Sequence, residues 1–301
     1  MKIKDNKEIE EYTTFCLPCV AKEIFIVKSS QDIVDFCRTH EDFFVLGGGS
    51  NIILPETLEF VLKIENKGLD IIGEESQSVF VKIAAGEVWD DVVAWAVERD
   101  FSGIEMLSAI PGTAGATPYQ NVGAYGGEIA DTFVELTAYD RLQKEITILS
   151  KDDCKFGYRT SIFKKGTHKG RYVIIDMTLK LSKLAPKIPQ YPDVIKYFAT
   201  NENPTLKEIR DAIIQIRWNK LPKPGEVPNC GSFFENPIVT KEVAEKIKEE
   251  FSELKMWPVN DNEVKISAGF LVEKAGLKGV NFGTVGTYEK NALVLINRGG
   301  A

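Results

Sequence analysis

Two glycine-rich stretches and two isolated polar residues mark where this chain could do chemistry. Gly47-Gly48-Gly49-Ser50-Asn51 sets three glycines in a row, which permits positive φ or the close approach of a ligand. Successive backbone N–H groups in such a turn can hold an anion, and a diphosphate fits. A tight strand-to-strand turn would need the same residues. No helix follows the loop, so it is not a Rossmann fingerprint. The second stretch, 110–127, carries Gly112, Gly115, Gly123, Gly126 and Gly127, with Pro111, Thr117, Asn121 and Tyr125 among them. Small residues let a flat ring or a phosphate lie against the backbone, and a mere connection rarely needs so many glycines over so long a span. Arg159 sits among aromatic and apolar neighbours in Gly157-Tyr158-Arg159-Thr160-Ser161-Ile162-Phe163. There it is either aimed at a carboxylate or is a surface ion-pair partner. Ser232, between a glycine and two phenylalanines, reads by itself as a turn or cap residue. Cys16-Leu17-Pro18-Cys19 has the spacing of a redox or zinc pair. No second pair completes a zinc site and a strand follows it, so its reading is structural. The two histidines, His40 and His168, lack metal-ligand spacing. That argues against metal chemistry and against a Ser-His-Asp triad.

The elements that position these residues follow from periodicity. Strands are expected at 24–27, 43–46, 58–64 and 79–84, and the glycine loop at 47–51 links one strand to another at 52–54. Ser29 and Asp32 have capping-box spacing ahead of a helix carrying Ile33, Phe36 and Cys37. Apolar residues at 89, 92, 93, 96 and 97 mark an amphipathic helix. Residues 133–139 and 145–149 read as a hairpin, and 172–181 as a strand. Three prolines at 184–192 mark a boundary. Thr205 and Glu208 then cap a helix bearing Ile209, Ile213 and Ile216. Two more helices are expected at 240–251 and 267–275, the last stopped by Gly276.

The 301 residues carry 37 Lys and Arg against 44 Asp and Glu, a net charge of −7. A chain this acidic is a poor general nucleic-acid binder. No run of about 18 apolar residues offers a membrane span, and the polar N-terminus lacks the apolar core of a signal peptide. Five sparse cysteines point to a reducing cytoplasm.

In their order and spacing, residues 46–51, 86–89, 110–126, 156–164, 231–237 and 267–279 resemble the UDP-N-acetylenolpyruvoylglucosamine reductase family, the flavoenzymes of peptidoglycan precursor synthesis. The similarity runs from about residue 12 to the end. Tyr191 matches the subclass with a substrate-clamping tyrosine loop. The resemblance implies an α+β fold. Residues 1–66 and 67–190 would form a two-part FAD-binding region of the vanillyl-alcohol-oxidase type, and 195–301 a smaller α/β substrate domain. It implies FAD as cofactor, NADPH as reductant and an enolpyruvyl ether of a UDP-sugar as substrate. With the charge, hydropathy and histidine spacing above, no metal, nucleic acid or membrane partner is expected; the sequence does not give the oligomeric state, with a monomer the first expectation. Gly47, Gly48, Gly49, Ser50 and Asn51 would cradle the FAD diphosphate. Pro111, Gly112, Gly115, Thr117, Asn121, Gly123 and Tyr125 would line the isoalloxazine and its attached chain. Arg159 would face the substrate carboxylate, and Ser232 would donate a proton to carbon. Tyr191, Lys220 and Asn236 would hold the nucleotide diphosphate and uridine, with Trp257 as a stacking face. The prolines at 186, 189 and 192 set an extended segment that would let Tyr191 close over the substrate.

The chain departs from the family pattern in three places. Thr13-Thr14-Phe15-Cys16 stands where Asn-Thr-Phe-Gly is usual, and Ala116 where a serine is common. The family's third acid, a glutamate, belongs to a C-terminal strand that follows a helix beyond 292–297. The sequence reaches Ala301 where that helix should begin, so the expectation is a chain cut short at its C-terminal end and lacking that acid. Two competing readings are an FAD-dependent alcohol oxidase of the same flavin fold and a catalytically dead flavin or nucleotide-sugar binding protein. Arg159, Ser232 and the absence of histidine from the glycine-rich loops argue against the oxidase.

Overall fold

The computed structural model describes residues 2–301. They form two compact units, one of residues up to Tyr12, Cys19–Gly49 and Leu54–Asn219, the other of Thr13–Pro18, Ser50–Ile53 and Lys220–Ala301.

The first unit opens with a four-stranded sheet in the order β1-β2-β4-β3. Its strands are β1 (Lys2–Glu8), β2 (Val20–Val27), β3 (Phe44–Leu46) and β4 (Thr57–Ile64). β4 lies parallel to both β2 and β3, and β1 is antiparallel to β2. α1 (Ser30–Thr39) makes the crossover, and the Ser29 hydroxyl accepts the Asp32 N–H at 3.1 Å, as the capping spacing predicts. Residues 52–54 form no strand, contrary to the expected continuation. Pro55 removes a ladder donor just there, and pairing resumes only at Thr57. β1 has no apolar alternation to announce it; its backbone ladder to β2 makes it a strand.

A five-stranded antiparallel sheet follows, ordered β10-β9-β11-β6-β5. It comprises β5 (Leu69–Glu74), β6 (Ser78–Ala84), β9 (Phe133–Asp140), β10 (Glu145–Ser150) and β11 (Tyr172–Ser182). α2 (Trp89–Val97) lays Trp89, Val92, Val93 and Ala96 into its core, and the Trp89 indole N–H donates to the Leu107 carbonyl at 3.0 Å. Between α2 and β9 runs the long glycine-rich loop, with a two-residue hairpin of β7 (Gly123–Ala124) and β8 (Gly127–Glu128). A short α3 (Lys151–Cys154) precedes the Arg159 turn.

α4 (Pro192–Tyr197) and α5 (Leu206–Lys220) follow the proline segment. By contacts, residues up to Asn219 group with the first unit, and the C-terminal part of the second unit runs from Lys220. The reason is packing. Leu206 enters the core of the five-stranded sheet, and the Ile209-Ile213-Ile216 stripe closes with Val194 and Phe198 against Tyr125. Arg210 grips Asp90 of α2 with two hydrogen bonds of 2.6 and 2.9 Å.

The second unit holds two three-stranded antiparallel sheets. β12 (Asn229–Ser232), β17 (Asn291–Asn297) and β16 (Val285–Tyr288) form one, with β17 central. β13 (Ile238–Thr240), β15 (Glu263–Ile266) and β14 (Met256–Pro258) form the other, with β15 central. α6 (Lys241–Glu250) is capped by Thr240, and α7 (Ala268–Lys274) by Ser267. Gly276, at φ 73°, ends α7 as expected. The Thr13–Pro18 segment is tied into this unit: the Thr14 hydroxyl donates to the Asn229 carbonyl at 2.6 Å, and the Asn297 amide donates to the carbonyls of Phe15 and Cys16. Cys16 takes φ 53°, the left-handed conformation that the glycine usual at this position adopts freely. Among the described residues no helix is long and apolar enough to cross a membrane.

Candidate active site

In the first unit the two glycine-rich stretches are one surface. A Cβ on Gly48 would lie 2.5 Å from the Gly112 Cα and 2.9 Å from its carbonyl carbon, and a Cβ on Gly47 would lie 2.7 Å from the Thr113 hydroxyl. Gly115 sits as tightly on Ala85, where its N–H donates to the Ala85 carbonyl at 2.9 Å. Beneath this contact Asn66 is fully buried, accepting from the Gly86 N–H and donating to the Ile175 carbonyl, both at 2.9 Å. The turn at 85–86 is thereby held rigid. Among the described residues the N–H groups of Gly48 and Gly49 make no hydrogen bond. A cradle walled by backbone, with free N–H donors, fits the diphosphate of a dinucleotide such as FAD.

Thr117 and Asn121 serve the loop itself. The Thr117 hydroxyl donates to the Ala114 carbonyl at 2.8 Å. Asn121 is fully buried with φ 45°; its amide donates to the Gly157 carbonyl at 3.2 Å and accepts from the Ala130 N–H at 3.1 Å. It therefore joins the glycine loop to the turn that carries Arg159.

That turn is tightly specified. The Gly157 and Thr160 backbones exchange hydrogen bonds, the Ser161 hydroxyl donates to the Tyr119 carbonyl at 2.7 Å, and Arg159 takes φ 51°. A non-glycine residue in this region costs of order 1–3 kcal/mol. The guanidinium is brought against the glycine turn, where a Cβ on Gly123 would lie 3.0 Å from its Nη1. Among the described residues it makes no ion pair or hydrogen bond of its own. Arg159 is thus an oriented cation without a counter-charge.

Tyr125 follows two residues after Gly123, again with positive φ, 51°. Burial pushes its phenol up to about 12, against the pull of Arg217, which hydrogen-bonds it. Burial likewise draws Arg217 below its ordinary value, opposed by Tyr125 and Asp90. The Arg217 Nε is buried with no hydrogen-bond partner among the described residues. Tyr191, at the start of α4, sets its ring edge-on to Tyr125 with centroids 5.3 Å apart and remains 37% exposed. The structure therefore brings Gly123, Tyr125, Arg159, Tyr191 and Arg217 into one neighbourhood.

In the second unit, Ser232 ends β12 with an exposed side chain whose hydroxyl makes no hydrogen bond among the described residues. The backbone ahead of it is held by Asn51, whose amide donates to the Cys230 carbonyl at 2.7 Å, and by Gly231 at φ 72°. Asn51 is thus a strut for the serine strand. Asn236 accepts the Ala268 N–H at 2.9 Å at the start of α7. Lys220 lines an open cavity of about 600 Å³ together with Lys255, Ser267, Phe270 and Lys290, so Lys220 and Asn236 converge on the start of α7. Trp257 is exposed, with the Lys265 ammonium 5.8 Å from its ring centre. It is not part of that cavity's lining.

Comparison with known proteins gives consistent matches along the chain. Residues 25–147 match the FAD binding domain, and 223–301 match the UDP-N-acetylenolpyruvoylglucosamine reductase C-terminal domain. The UDP-N-acetylenolpyruvoylglucosamine reductase of Flavobacterium johnsoniae is 42% identical over 307 aligned positions that cover all of this chain and 91% of that protein. The Bdellovibrio bacteriovorus reductase is 40% identical with the same coverage. The chain belongs to the UDP-N-acetylenolpyruvoylglucosamine reductase family. Its fold matches the crystal structure of the Thermus caldophilus reductase with a TM-score of 0.70 at 21% identity, covering all of this chain and 90% of that one.

In this member of the reductase family, several buried or half-buried polar groups escape sequence reasoning. Lys63, Asn66, Glu105, the Asp90–Arg210 pair and Arg217 all lie in segments that read as ordinary strand, loop or helix. A single signal was available: Lys63 interrupts the apolar run Phe60-Val61-Leu62-Lys63-Ile64, and a charge inside a buried strand needs a partner.

Proposed function

We propose that this chain is an NADPH-dependent, FAD-containing oxidoreductase that reduces the enolpyruvyl ether of UDP-N-acetylglucosamine-enolpyruvate to UDP-N-acetylmuramate. The observation that carries the reading is 42% identity to a reductase of that name along the whole chain. The unpaired, oriented Arg159 and the free hydroxyl of Ser232 supply the chemistry.

FAD, when bound, supplies the redox step, taking two electrons from NADPH and delivering them to the enolpyruvyl double bond. The chain handles charge and proton. Gly47, Gly48 and Gly49 hold the cofactor diphosphate with backbone N–H groups, and Pro111, Gly112, Gly115, Gly123 and Tyr125 face its ring and attached chain. Reduction at the terminal carbon of the double bond builds negative charge at the neighbouring carbon and in the carboxylate. Arg159 binds that carboxylate and stabilises the growing charge, and preorganised electrostatics of this kind lower the barrier more than any other effect such a site provides. Its left-handed backbone and the Asn121–Gly157 bond set its direction beforehand, so little reorganisation is needed. Ser232 holds a proton for the same carbon. A hydroxyl is a weak acid, yet a carbanion is a far stronger base, so the transfer runs downhill. Lys220, Asn236 and Tyr191 grip the nucleotide diphosphate and uridine, and Trp257 offers a stacking face.

Anaerobic stopped-flow spectroscopy tests the reading. The yellow protein should bleach with NADPH and regain its colour when the enolpyruvyl sugar nucleotide is added, and acid precipitation should leave free FAD in the supernatant. Bleaching by an alcohol with fast recoloration by oxygen would favour the oxidase, and no bleaching at all a binding protein. Identity to the named reductases weighs against both.

A further inference from the structure

Lys63 is a buried cation that the proposed chemistry leaves without a task. It lies in β4 between Leu62 and Ile64 and is only 8% exposed. Among the described residues it forms no ion pair. Its ammonium donates to the Gly47 carbonyl at 2.6 Å and stands 5.8 Å from the centre of the Tyr12 ring. An ammonium taken out of water without a counter-charge is costly. Burial accordingly draws Lys63 below its ordinary value, with nearby Glu65 opposing and Lys67 adding to the effect. A neutral residue would fill this strand position at lower cost, so the charge calls for an anion.

The peptide geometry indicates where that anion lies. In a trans peptide the C=O and the following N–H point in opposite directions. With the Gly47 carbonyl drawn onto Lys63, the Gly48 N–H is turned the other way, and it has no partner among the described residues. A cation on the oxygen of a peptide also strengthens its N–H as a donor. The contact between Gly48 and Gly112 prevents the loop from moving aside.

We propose that Lys63 is a positioning residue for the diphosphate of the bound dinucleotide: it fixes the Gly47–Gly48 peptide with its N–H toward the anion and supplies the buried positive charge that the anion neutralises. The inference rests on the reading of residues 47–49 as the FAD diphosphate cradle. It goes beyond that reading by assigning a charged group outside the loop to cofactor retention.

The test measures FAD release from the holoenzyme, as the rise in flavin fluorescence after dilution, for wild type, Lys63→Met, Lys63→Gln and Lys63→Arg. Losing a charge-assisted hydrogen bond should speed release roughly ten- to a hundredfold in the Met and Gln variants. Arg should restore it to within about threefold of wild type, since it keeps charge and donors. Wild-type release from Lys63→Met overturns the proposal. So does wild-type release from Lys63→Gln, because a neutral strut would then suffice, or release from Lys63→Arg as fast as from Lys63→Met. If the Met variant does not fold, the Gln and Arg pair still decides. A wild-type protein without flavin is a separate result, and it overturns the cofactor reading itself.

Discussion

Gly48→Ala is the sharpest structural perturbation of the cofactor cradle. The added Cβ would sit 2.5 Å from the Gly112 Cα, about 0.9 Å inside the shortest ordinary contact of 3.4 Å, and its other close neighbours are backbone atoms too. No flexible side chain can swing aside, so one of the two glycine-rich loops must move. Overpacking of this kind costs roughly 1–3 kcal/mol. If that strain falls on the liganded geometry, FAD affinity drops roughly 5- to 150-fold. Gly126→Ala is the matched control. Nothing lies within 4 Å of its added Cβ, but its φ of +90° is unfavourable for alanine. That substitution strains one residue and leaves the contact between the loops intact. Flavin release after dilution and thermal midpoints in saturating FAD should show Gly48→Ala losing flavin readily, with Gly126→Ala destabilised yet retaining it. Wild-type retention of FAD by Gly48→Ala at an unchanged midpoint would refute the argument, because the loops would then not form the cradle.

Three further outcomes follow from the same geometry. Ser232→Ala should leave bleaching by NADPH intact and slow recoloration by substrate roughly 10²–10⁴-fold; equal slowing of both half-reactions would make the serine structural. Glu105 is 3% exposed and accepts the Gly103 N–H at 2.6 Å, and its carboxyl is raised above 4.5 by burial, against backbone hydrogen bonds that lower it. A carboxyl raised on folding costs stability as pH climbs from 4.5 through the folded value, so Glu105→Gln should gain roughly 2–4 °C in thermal midpoint at pH 7 and nothing in acid. Asp90 behaves oppositely: burial disfavours its charge, but Arg210 and the Ala109 N–H prevail and hold it below 3.8. Its stabilisation is complete above 3.8 and lost as pH falls through the lowered value, so the midpoint gap between wild type and Asp90→Asn should persist at pH 5–7 and shrink below about pH 4.

Much of the fold was legible because periodicity and end signals agree. The apolar positions 89, 92, 93, 96 and 97 gave α2 its bounds, and Ser29, Thr205 and Ser267 announced helix starts that the structure honours with side-chain caps or a capping box. β1 escaped because its polar residues make a strand only through the ladder to β2. The reach of α5 into the first unit was hidden for a related reason. Its stripe predicts a helix with a buried face, but a stripe does not say which sheet or loop that face meets.

The site shows the same division between local and tertiary information. Glycines are legible because their type is a statement about backbone: close approach at Gly47, Gly48 and Gly115 requires them wherever the partner strand comes from. Arg159 and Ser232 took their expected chemistry from the resemblance, and their geometry was not legible at all. Nothing in Tyr158-Arg159-Thr160 foretells a left-handed arginine. The Asn121 and Asn51 amides, which the resemblance assigns to the cofactor, also hold the backbones that carry Arg159 and Ser232. Arg217 stands furthest from sequence reasoning, and Lys63 shows only as a charge inside an apolar run. A lysine in a strand and an arginine in a helix are ordinary until burial removes their water, and burial depends on every other element. Once burial removes that water and no ion pair replaces it among the described residues, each has to be explained by what approaches it. For Lys63 the Gly47 carbonyl gives the direction of that approach, and the flavin-retention assay measures its strength.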